Sequence, residues 1–179
     1  MSLPPAERIL ENLEIDPKSI KSIQSTAKRS QYRALVNWLT RYSSSPESTN
    51  LELVRGWLEA FHHLCELDNW EKAVTLLCSR LETPTHEELH DQLNLWGYHA
   101  ELGQIYARVV DHVSPKFNAI ILNALGRLWT DLGDYEKAID YHQQSLKIAR
   151  EIKDRNGEGA ALANLGNAYY AIGNYTKAI

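Results

Sequence analysis

The chain has 179 residues, of which 44% are hydrophobic and 23% charged, proportions typical of a globular protein of about one domain. Its two cysteines, Cys65 and Cys78, lack the C-x-x-C spacing of zinc ribbons and thioredoxin-like sites, so we expect both to be reduced. No apolar run approaches the roughly 18 residues that cross a bilayer, and the first residues do not form a signal peptide. We therefore expect a cytoplasmic protein with no membrane partner.

Charge is unevenly distributed along the sequence. Residues 17–42 contain six basic side chains and no Asp or Glu, whereas the remainder has 13 basic and 23 acidic residues. Nucleic-acid binding would need stacking aromatic residues among these cations, and only Tyr32 and Trp38 are near. We therefore expect a solvated helix face or a contact with the acidic remainder, and no nucleic-acid partner. The six cations are Lys18, Lys21, Lys28, Arg29, Arg33 and Arg41.

The spacing of apolar residues predicts an all-α fold. In segments 54–65 and 122–132, large apolar side chains recur every three or four residues, which is the helical period. No stretch alternates apolar and polar residues over the length of a β-strand.

The first 50 residues predict a helical segment separate from the rest. Two prolines near the start favour the first turn of a short helix that ends near Leu13, and residues 26–42 predict a longer helix. The Ser-rich run 43–50 is typical of a linker. We therefore predict two domains, residues 1–50 and residues 51–179.

The C-terminal sequence repeats after 40 residues. When residues 163–179 are aligned with residues 123–139, seven of the 17 positions are identical, including the final Tyr-x-Lys-Ala-Ile. A further copy contains Trp-Glu-Lys-Ala-Val at residues 70–74, and we interpret Leu102-Gly103 as the Leu-Gly pair of a degenerate copy. The four copies are expected to begin near Val54, Leu89, Ala119 and Gly159.

These repeats resemble the tetratricopeptide repeat, in which two antiparallel helices cross at small residues and a Leu-Gly pair precedes the second helix. The 40-residue spacing is similar to the long repeats of kinesin light chains, Pins-type spindle adaptors and many bacterial arrays. The resemblance implies an all-α, right-handed superhelical stack of about three and a half hairpins. It also implies a non-catalytic scaffold that binds a partner peptide or helix in a concave groove lined by the first helices.

The resemblance places this groove on the first helices of the third and fourth copies. An Asn side chain can hold the backbone of an extended peptide because it both donates and accepts, and Arg can bind a carboxylate. The Asn-Leu-Gly-Asn segment of long-repeat relatives contacts peptides, and Asn164 and Asn167 match it, whereas Arg127 replaces the second Asn in the third copy. The alternative is an Asn ladder that only stabilises the stack. The expected groove residues are Asn123, Arg127, Thr130, Asp131, Asn164, Asn167 and Tyr170.

Residues 86–90, His-Glu-Glu-Leu-His, match the H-E-x-x-H pattern, in which two His one helical turn apart hold zinc and the Glu acts as a base. A catalytic zinc needs a third ligand, and no downstream His follows at a known spacing. We therefore expect a solvated helix start capped at residues 83–85, with no metal and no cofactor. The alternatives are a zinc hydrolase that uses His86, Glu87 and His90, or the sensing arm of a larger regulator.

The last predicted helix begins at Tyr175, and the sequence stops at Ile179. Because the matching helix of the third copy is much longer, we expect a fragment of a longer array. An apolar strip that includes Leu162 and Tyr169 would then lack its cover, so we expect the C-terminal end to fray or to form a homodimer.

Overall fold

The structure is a computed structural model that describes residues 3–45, 47–83 and 86–178. Within these residues it contains eleven α-helices, one short 3-10 helix and an isolated β-bridge between Arg80 and Glu88, which confirms the predicted all-α class. None of the helices described is long and apolar enough to cross a bilayer. The helices are α1 (Ala6–Asn12), α2 (Thr26–Arg41), α3 (Asn50–Leu53), α4 (Arg55–Glu66), α5 (Trp70–Leu77), α6 (Leu89–Leu95), α7 (His99–Val109), α8 (Pro115–Asp131), α9 (Tyr135–Glu151), α10 (Arg155–Ala171) and α11 (Tyr175–Ala178).

The chain groups into two compact units, residues 1–98 and residues 99–179. The first unit contains α1 to α6 and the second contains α7 to α11. The predicted domain boundary between residues 50 and 51 stays a prediction. Helices from both sides of it pack together, because α2 contacts α4 within the first unit.

The contact between α2 and α4 is close. A Cβ atom on Gly56 would lie 2.7 Å from the backbone oxygen of Trp38, so only glycine fits at this crossing. Gln31 on α2 accepts a hydrogen bond from the ring of His63 on α4 at 2.6 Å. Leu35, also on α2, is completely buried. The N-terminal helices are therefore packed on the first hairpin, α4 and α5.

In each of the four repeat copies, the first helix ends at one residue in the left-handed region. Asp68, Gly97, Gly133 and Gly173 have φ values between 57° and 82°. The N–H of the next residue donates to the carbonyl five positions earlier, at 2.9 or 3.0 Å, which closes the end of the first helix. Three of the four turn residues are Gly because a side chain is disfavoured at positive φ. The second helices begin directly afterwards, and the predicted start at Tyr175 is confirmed.

Leu102-Gly103, interpreted from the sequence as the Leu-Gly pair of a degenerate copy, does not lie where Leu132-Gly133 lies in the third copy. Both residues lie within α7, and Gly103 has no left-handed backbone. The left-handed residue of the second copy is Gly97, between the end of α6 and the start of α7. The Leu-Gly sequence is the same, but α6 has only 7 residues, so the first helix of the second copy ends earlier than the first helices of the other copies.

The H-E-x-x-H segment does not form the expected helix start. α6 begins at Leu89 after Glu88, and His86 lies outside the helix with φ of 52°. His86 and His90 are therefore not one turn apart on a helix, and the geometry that a zinc hydrolase needs is absent from this segment. The residue that precedes α6 is Glu88, and of the predicted cap at residues 83–85, residues 84 and 85 lie outside the described residues. His90 is buried rather than solvated.

The third hairpin, α8 and α9, is built around one very close approach. A Cβ on Gly126 of α8 would lie 2.4 Å from the ring of His142 on α9. Ala138, on the same face of α9 one turn earlier, is completely buried. The Ser145 hydroxyl donates to the backbone oxygen of Ala119 at 2.8 Å. Gly126 and Ala138 therefore lie where the two helices approach closely, which is the crossing at small residues that the resemblance implies.

We predict that Gly126→Ala lowers the free energy of unfolding by about 1 to 3 kcal/mol, because the added methyl group overlaps the His142 ring. Gly103→Ala is the matched control in the same unit. It meets no atom within 4 Å and lies inside a helix, so it should raise stability by roughly 0.5 to 1 kcal/mol. Urea unfolding followed by circular dichroism measures both. Equal effects of the two substitutions would show that the His142 contact does not limit the helix crossing.

Candidate peptide-binding groove

The predicted groove residues lie on α8 and α10, the first helices of two successive hairpins. These helices contact each other directly as well as through α9. Asn123, Arg127, Thr130 and Asn164 are half-buried, whereas Asp131, Asn167 and Tyr170 are exposed. The structure therefore places the candidate residues on two neighbouring helices of one unit, at different depths. Whether they hold a peptide stays a prediction.

Asn123 joins three helices. Its Oδ1 accepts a hydrogen bond from Asn164 Nδ2 on α10 at 3.1 Å. The same oxygen lies 2.9 Å from His142 Nδ1 on α9. Because this oxygen can only accept, the geometry assigns the imidazole proton to Nδ1. The bond from Asn164 to Asn123 is the kind of contact that the Asn-ladder alternative anticipates.

His142 is a residue that the sequence argument missed. Its side chain is completely buried, and its Nε2 has no hydrogen-bond partner within the described part of the chain. Burial, together with the nearby charge of Arg127, lowers the pKa of His142 from 6.5 to about 4. The imidazole is therefore neutral at pH 7. The repeat register contained the signal, since His142 aligns with Leu77, which is also completely buried.

The remaining candidate residues differ in how they are held. The Thr130 hydroxyl donates to the backbone oxygen of Gly126 at 3.0 Å, so it is engaged within its own helix. The Tyr170 ring is 67% exposed and packs edge-on against Tyr175, with ring centres 5.3 Å apart. Asn167 lies one turn before Tyr170 on α10 and is exposed as well. Asn167 and Tyr170 are thus the candidates most accessible to a partner.

We predict that acid destabilises the chain through His142. The pKa of His142 is lowered in the folded state, so the unfolded chain takes up this proton first and stability falls as the pH drops from about 6.5 to about 4. Between pH 7 and pH 5 the loss from this one group is about 2 kcal/mol. The difference in unfolding free energy between the two pH values measures it.

His142→Gln removes this group, so the pH dependence of the variant should be smaller by that amount. His62→Gln changes an exposed histidine and should leave the dependence as it was. If His142→Gln retained the full pH dependence, a different group would be responsible.

Three comparisons bear on what these helices are. Residues 117–179 match the family model of the tetratricopeptide repeat. A segment of 58 residues is 48% identical to G-protein-signaling modulator 1 of Homo sapiens, covering 32% of this chain and 9% of that protein. The same protein of Mus musculus is 48% identical over 42 residues, which cover 24% of this chain and 6% of the relative.

A third protein matches more weakly. Outer dynein arm-docking complex subunit 4 of Danio rerio is 29% identical over 68 residues, which cover 36% of this chain and 14% of the relative. The chain thus spans at most 14% of the length of these relatives. The match covers about a third of the chain and agrees with the helix hairpins, their turns and the repeated motif there. Residues 117–179 thus match the tetratricopeptide repeat, and the predicted resemblance is confirmed for that segment.

Proposed function

We propose that the second unit binds a partner protein by holding an extended peptide across α8 and α10. The observation that supports this most directly is the Asn164 to Asn123 hydrogen bond of 3.1 Å, which fixes two polar helices side by side. A pre-positioned surface loses less conformational entropy when a peptide binds. The family match supports a protein-interaction scaffold in general, and the groove is our more specific proposal.

Each candidate residue has a chemical role in this proposal. Asn167 and Asn164 carry amide groups that can donate to and accept from a peptide backbone. Tyr170 offers a large exposed ring for an apolar side chain. Arg127 supplies a positive charge for a carboxylate, and Asp131 favours a basic residue further along the peptide. Asn123 and Thr130 act mainly by positioning their neighbours, since both are hydrogen-bonded within the unit.

The finer features of the family assignment also belong to this proposal. Gly133 and Gly173, the last two turn residues, are 40 residues apart, which supports the long-repeat type. The relatives named are vertebrate proteins with names that refer to G-protein signalling and to a docking complex, so both work with other proteins. We propose that this chain likewise acts without catalysis, either alone or as the sensing arm of a larger regulator. We also propose a reducing compartment such as the cytoplasm, which is supported because Cys65 and Cys78 form no disulfide.

We predict that Asn167→Ala and Tyr170→Ala each weaken peptide binding by about 1 to 3 kcal/mol, or about 5-fold to 150-fold in Kd, because each removes an exposed contact. Peptides selected from a displayed random library on the intact chain serve as probes, and fluorescence titration gives Kd. Both side chains are exposed, so the melting temperature should stay nearly unchanged.

Gln144→Ala is the matched control, because Gln144 is exposed on the second helix α9. It should leave Kd unchanged. Binding that falls equally in the control, or only in variants that also unfold, would exclude these positions as the groove.

We also propose weak self-association through apolar residues of the fourth hairpin. Leu162 is 45% exposed and Ile172 is 46% exposed, whereas Leu165 between them is buried. Tyr169 is half-buried, and its hydroxyl accepts a hydrogen bond from Gln143 of α9. Exposed apolar side chains grouped on one surface favour association.

We predict that sedimentation shows a concentration-dependent dimer that weakens in Leu162→Ser, because the substitution removes apolar surface from the contact. Leu95→Ser is the control, since Leu95 is an exposed leucine of the first unit. A chain that stays monomeric at high concentration, or a dimer weakened equally by both substitutions, would count against this surface.

A further inference from the structure

Three side chains with metal-binding atoms meet where α5 ends and α6 begins. Cys78 follows the last residue of α5, Glu88 precedes the first residue of α6, and His90 is the second residue of α6. One potential ligand atom from each lies within 4.8 Å of the other two. Among these atoms, His90 Nε2 lies 3.0 Å from Glu88 Oε2. The Cys78 thiol is also hydrogen-bonded to Glu88.

The backbone keeps these positions together. Leu89 N–H donates to the Ser79 oxygen at 3.0 Å, and Leu81 N–H donates to the Glu87 oxygen at 2.9 Å. These two bonds flank the isolated bridge between Arg80 and Glu88. These hydrogen bonds join residues 79 and 81 to residues 89 and 87, so they hold the end of α5 close to the start of α6. Ligands held by rigid elements in this way need little reorganisation to bind an ion.

The surroundings of His90 resemble those of a metal-binding imidazole. Its side chain is 5% exposed, and its second ring nitrogen, Nδ1, lies 3.3 Å from Asp91 Oδ1. A carboxylate in this position fixes the ring orientation and increases the basicity of the ligating nitrogen. Nε2 then points towards Glu88 and Cys78. The half-buried Cys78 and Glu88 leave a path for an ion from solvent.

We propose that Cys78, Glu88 and His90 bind one Zn²⁺ ion that links the end of α5 to the start of α6. Sulfur, imidazole nitrogen and carboxylate oxygen are the three donor types that Zn²⁺ accepts, and water completes a tetrahedral set. Tetrahedral bonding brings ligand atoms to roughly 3.3 to 3.6 Å from one another. Small rotations of the Cys78 and Glu88 side chains achieve this, and the thiol releases its proton on binding.

A metal fits this cluster better than a nucleophilic thiol does. Nucleophilic cysteines lie beside cationic groups, whereas Cys78 is hydrogen-bonded to the Glu88 carboxylate. A divalent cation binds sulfur, carboxylate and imidazole together, so all three side chains have a role in the metal site. The site differs from the H-E-x-x-H hypothesis in two of its three ligands, and His86 takes no part. It also departs from our expectation that the chain binds no metal.

Co²⁺ is the probe of choice, because a tetrahedral Co²⁺–thiolate centre absorbs visible and near-ultraviolet light. The 179-residue chain, freed of metal with a chelator, is titrated with Co²⁺ and then with Zn²⁺. We expect one ion per chain, a thiolate charge-transfer band, and loss of that band when Zn²⁺ displaces Co²⁺. Zn²⁺ should also raise the melting temperature. The absence of a band and of any thermal shift would overturn the proposal.

Variants identify the ligands. Cys78→Ser should abolish the charge-transfer band, His90→Gln should weaken Co²⁺ binding at least tenfold, and Asp91→Asn about 10-fold to 100-fold. His86→Gln and Cys65→Ala are matched controls, which should keep the band and the affinity. Circular dichroism shows whether each variant is folded. If a variant does not fold, the titration of the wild-type chain still tests the proposal. If Cys78→Ser kept the charge-transfer band and the Co²⁺ affinity of the wild type, or if Cys65→Ala lost the band, the ion would be bound elsewhere and the proposed site would be wrong.

Discussion

The contact between the His142 ring and the bare Cα of Gly126 sets the distance between α8 and α9, and the rest of the second unit depends on it. The ring occupies the space that any side chain at position 126 would need. Its Nδ1 donates to Asn123, and Asn123 in turn accepts from Asn164 on the next first helix. The position of α10 relative to α8 is therefore linked to a buried, neutral imidazole.

This linkage unites the two interpretations of the asparagines. Asn123 and Asn164 stabilise the stack, as a ladder would, because they bond each other. The same bond holds α10 beside α8, the helix that carries Arg127, while Asn167 and Tyr170 on α10 are exposed. A residue that organises the stack can thus prepare a binding surface without touching the partner. For the proposed groove, we expect substitution of such a residue to change stability and binding together, and substitution of Asn167 to change binding alone.

Local signals explain what the sequence could predict. The left-handed turns at Gly133 and Gly173 and the helix starts at Tyr135 and Tyr175 follow from a few neighbouring residues, so the repeats were recognisable. The Leu102-Gly103 pair was assigned to the wrong position of the second copy, because a Leu-Gly pair carries no information on the length of the helix before it.

Burial of polar residues could not be predicted in the same way. His142 is surrounded by residues from other helices, and His90 is covered only after backbone bonds between residues 79 and 89 close the chain segment before α6. Neither fact can be deduced from the pattern of apolar and polar residues along a single helix. In the candidate site, the sequence indicated the helices and their exposed positions, but not the buried imidazole that connects them.

The two units also differ in the sequence separation of the residues that contact each other within them. In the second unit each helix mainly contacts the next one, so its structure can form as the chain lengthens. In the first unit, Lys72 on α5 donates to the backbone oxygen of Leu13 after α1, and Asn69 donates to the Tyr32 hydroxyl at 2.8 Å. Synthesis proceeds from the N-terminus, so α1 and α2 are made before Asn69 and Lys72 exist. The N-terminal helices therefore reach their final packing only after residues 37 and 59 positions further along the chain have been added.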